Sequence, residues 1–147
     1  MSTRMRGWQA SEGQVPLSAP RWLAQRAFRQ GDIPAVRLFT RAFCARAGIR
    51  SARHADFVLA VSESAACATA VGPCTARVRL WMTGRRAFCE VRGDGMMLRR
   101  AAHGTASSGV AGEEEALRRL VLRRVSDHVS VASGDDGVRV LLSMTVS

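Results

Sequence analysis

In the stretch LAVSESAACATAV, Leu59 to Val71, a single carboxylate, Glu63, stands among small and apolar residues, with Cys67 four residues further on. Residues i and i+4 share one face of a helix, so an acid and a thiol would lie one turn apart. An acid kept on an inner helix face needs a ligand or a partner. The plainest account of Glu63 is a partly exposed residue or an N-proximal ion pair with an arginine, and of Cys67 a core position. Asp94-Gly95 reads as a loop turn, and the run from Gly109 to Gly112 is followed by Glu113, Glu114 and Glu115, charges suited to a helix start. His54, His103 and His128 have no nucleophile at a readable spacing, so neither a Ser/His/Asp nor a Cys/His arrangement is signalled.

The chain around these residues has 147 residues, enough for one domain with a core of its own. Its 47% hydrophobic and 23% charged content is ordinary for a globular protein. The basic residues are all arginine, and the formal charge of +10 favours an anionic partner. The absence of lysine also fits a GC-rich coding sequence, which lowers the weight of that charge. Cys44, Cys67, Cys74 and Cys89 show no CxxC spacing and sit in apolar runs, as small hydrophobes of a reducing cytoplasm would. Zinc is not indicated. No apolar run reaches the length of a membrane span, and no signal-peptide core is seen.

The elements follow from periodicity. Residues 1–20, broken by Gly7, Gly13, Pro16 and Pro20, read as a flexible arm, with a domain over 21–147. Trp22–Arg29 reads as a strand. Asp32 and Pro34 open a helix with Val36, Phe39, Phe43 and Ala47 inward, ended by Gly48. Ser51 caps a second helix carrying Phe57, Val61, Ala65 and Ala68 on its stripe. Ala76, Val78, Leu80 and Met82, then Ala87, Cys89 and Val91, alternate as a hairpin with one polar face. Gly93 to Gly112 reads as a long loop of the kind that forms lids. A helix from Glu113 to Val125 turns Leu117, Leu120, Val121 and Val125 inward, with charges suited to its dipole. A closing hairpin buries Val138, Val140, Leu142, Met144 and Val146 and exposes Arg139, Ser143 and Thr145. The order predicts an α+β two-layer sandwich, an antiparallel or mixed sheet with helices on one face.

GDIPAVRLFTRAFCARAGI, then VSESAACA, then a hairpin ending VRGDG, then a lid, a helix and SDHVSV, together resemble the histidine-kinase-like ATPase superfamily. The likeness is to bacterial anti-sigma-factor serine kinases, over Arg29 to Val146. In that family E-x-x-x-N-A supplies a base and a magnesium-binding Asn. Here the stretch reads Glu63-Ser64-Ala65-Ala66-Cys67-Ala68, which keeps the acid and puts a thiol where a hard cation wants oxygen. The family's D-x-G-x-G, whose Asp holds adenine, reads Gly93-Asp94-Gly95-Met96-Met97; a one-residue bulge would let Asp94 take that role. The Gly-rich run before the last helix survives as Gly109 and Gly112, followed by three carboxylates that oppose phosphate.

The resemblance therefore implies a vestigial nucleotide pocket of Cys67, Asp94, Gly95, Gly109 and Gly112, with Glu63 as vestigial base. It implies a cytoplasmic regulatory protein rather than an enzyme, with ATP and magnesium as cofactors only if the pocket still functions. Its expected partner is an acidic regulatory protein, a sigma factor or an anti-sigma antagonist, met through Arg37, Arg41 and Arg46; a homodimer is possible in the same family. An active serine kinase is the alternative. Nucleic acid is the weakest reading, since Arg77, Arg79, Arg92 and Arg139 share a strand face with Trp81 as the one aromatic.

Overall fold

The computed structural model describes residues 22–70, 75–93, 110–134 and 137–146. Residues 1–20 and 94–109, which include the expected arm and most of the expected lid, lie outside the described residues. Strand β1 (Trp22–Arg29) leads into helices α1 (Ile33–Ala47) and α2 (Ser51–Ala68). A hairpin of β2 (Thr75–Thr83) and β3 (Arg86–Gly93) follows, then helix α3 (Val110–Val125), then a hairpin of β4 (His128–Gly134) and β5 (Gly137–Thr145). The strands form one sheet in the order β1-β2-β3-β5-β4. Every pairing is antiparallel. The fold is a two-layer α+β arrangement.

Local signals set the helix ends. In α1 a proline occupies the first turn and Gly48 closes the helix at φ 77, a left-handed conformation costly for residues with a Cβ. Asp32 holds the N-cap position without capping. Its Oδ2 instead accepts the Arg29 N–H at 3.1 Å, which tightens the turn out of β1. Arg50, not Ser51, stands at the N-cap of α2, again without a side-chain cap bond. That end is tied down by tertiary contacts: Arg53 Nε donates to the Thr145 carbonyl at 2.8 Å, and its Nη2 lies 3.7 Å from Asp127 Oδ1. Asp127 Oδ2 in turn accepts the Thr145 N–H at 2.7 Å.

The core lies between the helices and one sheet face. Val36 and Phe43 of α1, Phe57, Val61 and Ala65 of α2, and Leu122 of α3 meet Val78, Leu80, Cys89, Val91, Val140, Leu142 and Met144. Buried hydroxyls in the helices are satisfied within a turn: Thr40 donates to the Val36 carbonyl, Ser64 to Ala60 and Thr69 to Ala65, all at 2.8–2.9 Å.

Four further expectations are corrected. Helix α3 starts at Val110, three residues early, because Val110 and Ala111 extend it and one helical glycine costs only about 1 kcal/mol. Its inward residue is Leu122, fully buried, while Leu117 and Leu120 are 60% and 54% exposed. The supposed polar face of the β2–β3 hairpin is partly a second core. Trp81 and Phe88 stack with centroids 5.4 Å apart and planes at 4°, beside Leu141. Ser143, expected to be exposed, is buried on the same face.

Candidate functional site

Helix α2 packs on β3 and on α3, with its last residue, Ala68, against Gly93 and with Glu63 facing Arg118, so Glu63, Cys67 and Gly93 share one neighbourhood at its C-terminal half. Asp94, Gly95 and Gly109 lie outside the described residues.

Glu63 is neither enclosed nor unpaired. Its Oε1 stands 3.9 Å from Arg118 Nε of α3, with both side chains about a quarter exposed. An ion pair this open contributes less than about 1 kcal/mol. It does orient the carboxylate toward an arginine rather than toward a reacting proton. A general base needs its lone pair within hydrogen-bond reach of the proton it removes. The partner came from α3 because Arg118, one turn before Leu122, lies on the face that α3 turns to the core.

Cys67 is buried, 4% exposed, among the apolar side chains of the main core. It occupies a packing position, and a thiol there offers a hard cation nothing comparable to an amide oxygen. Cys44 and Cys89 are likewise buried free thiols. Burial raises Cys44 from its ordinary value of 9.0 to about 11. Burial, then the neighbouring Glu90 charge, raises Cys89 further. Both changes disfavour the thiolate, which is the form that attacks electrophiles or binds metal. Among the described residues no group of His, Cys, Asp and Glu could hold a metal ion.

Gly93 is the most informative position. A Cβ built on it would overlap the Ala68 carbonyl oxygen and lie 3.2 Å from the Ala68 carbonyl carbon. Both are backbone atoms, so nothing flexible can yield. Glycine is needed here for close approach of two backbones, the last residue of β3 and the last residue of α2. A side chain directed from position 93 toward α2 has no room in this packing. Gly112 sits inside the first turn of α3 rather than in a loop before it, and Glu113 beside it is exposed.

Sequence reasoning missed two charged groupings. On the outer sheet face Glu90, 2% exposed, is held by Arg79 Nη1 at 3.6 Å and Arg92 Nη1 at 3.9 Å. Period-2 alternation placed these three residues on one face, and Arg79 opposite Glu90 in the β2–β3 register was the available signal. The Arg53–Asp127–Thr145 clamp joins residues far apart in sequence and left no local signal. On α1, Arg37, Arg41 and Arg46 are exposed as expected, and Leu38 lies exposed between the first two. No helix among the described residues is long and apolar enough to cross a membrane. No protein-family model matches the chain, and no curated protein matches its sequence.

Proposed function

We propose that this chain is a regulatory, protein-binding domain of the histidine-kinase-like ATPase type, akin to the anti-sigma-factor serine kinases but with its nucleotide pocket closed. The observation that carries the reading is the contact at Gly93. At the place where the resembling kinases present an adenine-binding Asp, this chain brings the β3 backbone against the Ala68 carbonyl, too close for any side chain. Two neighbouring features agree with it. Cys67 fills a core position where the family has a magnesium ligand, and Glu63 is engaged by Arg118. The strand, helix, helix, hairpin, helix, hairpin order supports the family reading.

The surface assigned to the partner is the exposed side of α1, where Arg37 and Arg41 stand beside the exposed Leu38 and Arg46 lies about two turns further along. An exposed leucine beside arginines suits an acidic protein segment, a sigma factor or an anti-sigma antagonist. The chain acts in this reading without ATP, in the cytoplasm.

Calorimetric titration with ATP and magnesium tests the reading. No saturable binding is expected. Affinity tighter than about 100 μM that requires magnesium and disappears in Glu63→Ala would overturn it and restore the serine-kinase alternative.

A further inference from the structure

The sheet has two outer strands, and they are built differently. β1 carries Arg26 and Arg29, both exposed, on its edge of the sheet. Charged residues of this kind discourage another chain from pairing there. β4, HVSVASG, carries no Asp, Glu, Arg, Lys or Pro. It pairs with β5 along its whole length, and among the described residues no strand lies on its other side. Alternate backbone N–H and C=O groups of an antiparallel outer strand point away from its partner. Such an edge is a template for an added strand.

A groove runs beside this edge. It is lined by Val129 and Val131 of β4, both half-buried, and by Arg119, Arg123 and the buried Leu122 of α3, the two arginines being exposed. Inward side chains of a strand added beside β4 would lie on the same sheet face as Val129 and Val131, the face that α3 covers. A glutamate suits both surfaces, its methylenes over the valines and its carboxylate against a guanidinium.

We propose that the β4 edge and the α3–β4 groove receive an extended segment of an acidic partner protein, added to the sheet as a further strand, with a carboxylate facing Arg123. A second copy of this chain is a poorer occupant: its β4 brings no carboxylate to the groove, and each copy carries a net charge of +10. The inference deepens the protein-binding reading above and rests on it, but it uses a surface separate from α1.

The test is titration of the isotope-labelled chain with the peptide Thr-Glu-Thr-Glu-Thr-Val-Thr, followed by backbone amide NMR, with the Gln-for-Glu peptide as control. Saturable shifts at Val129 to Ala132 are expected. Arg123→Glu should weaken binding about tenfold or more, with Arg123→Lys recovering part of it, and the Gln peptide should bind comparably weakly. Val131→Lys, an inward charge of the kind that protects natural edges, should abolish the shifts. Arg37→Glu on α1 should leave them unchanged, which separates this site from the α1 surface. No shifts at about millimolar peptide, equal binding of the Gln peptide, or indifference to Arg123→Glu would overturn the proposal. So would a dimer, seen by sedimentation, that Val131→Lys dissociates.

Discussion

Leu141 and Leu142 are neighbours on β5, each 1% exposed, and they point into different environments. Leu142 enters the large core shared by three helices and the sheet, whereas Leu141 joins a cluster with Trp81 and Phe88 alone. Around that second cluster the face is charged. Arg77, Arg92 and Arg139 stand in one cross-strand row, with Arg79 and Glu90 in the next. Like charges directly opposite one another are unfavourable, and Glu90 offsets part of that repulsion. The inner face thus holds the fold together by apolar burial. The outer face couples a small aromatic cluster, stabilised by about 0.5–1.5 kcal/mol from stacking beyond its burial, to an ion-pair group. The difference shows that burial alone does not identify the face on which a fold depends.

The sharpest test is to truncate both leucines. Leu142→Ala should destabilise by about 4 kcal/mol, because a rigid core on all sides leaves a cavity it cannot close. Leu141→Ala should cost about 2 kcal/mol, near the lower end, since fewer neighbours hold the gap open. Equal losses in chemical denaturation would remove the distinction between the faces.

Arg79→Ala should cost about 3 kcal/mol, the low end for breaking a buried pair, because Arg92 remains near the Glu90 carboxylate. Replacing Arg79 and Glu90 together by leucine should recover most of that loss, measured by the same denaturation midpoint. A double replacement as damaging as the single one would mean that the charges, not their desolvation, stabilise this face.

Gly93→Ala probes the junction of the sheet with α2. Overlap with backbone atoms should cost about 1–3 kcal/mol and move α2 relative to β3, visible as amide shift changes around Ala68. A neutral or stabilising effect would show that the close approach is not enforced.

The last effect is absent at neutral pH and appears only in alkali, and it belongs to the inner face. The folded-state pKa of Cys44 is raised, so its contribution to stability is fully present below about pH 9 and is lost as pH rises toward 11. Cys89 is raised in the same sense and adds to the loss. Native thiols at both positions should resist alkylation at neutral pH, and Cys44→Ala should flatten the decline in thermal midpoint above pH 9. Alkylation of the native protein at a rate near that of a free thiol would contradict the burial of both.

Much of the architecture was legible in the sequence, because period-2 and period-3.6 patterns record which side chains leave water. Val36 and Phe43, Phe57 and Val61, and the alternating sets of both hairpins lie where those patterns put them. The positions of Glu63 and Cys67 on α2 were legible too, but the arginine that meets the acid comes from α3, not from the N-terminal side of α2. Only the tertiary structure decided which arginine. Helix α3 offers two apolar stripes, Leu117-Leu120-Val121 and Val121-Leu122-Val125, and a local pattern cannot choose between them. Packing chose the second, which brought Arg118 to Glu63 and left Leu117 and Leu120 in water. The sequence likewise showed a glycine at position 93 and could not say why. Its reason is an approach of two backbones remote in the chain, and the space around a missing Cβ is set by whatever the fold brings next to it.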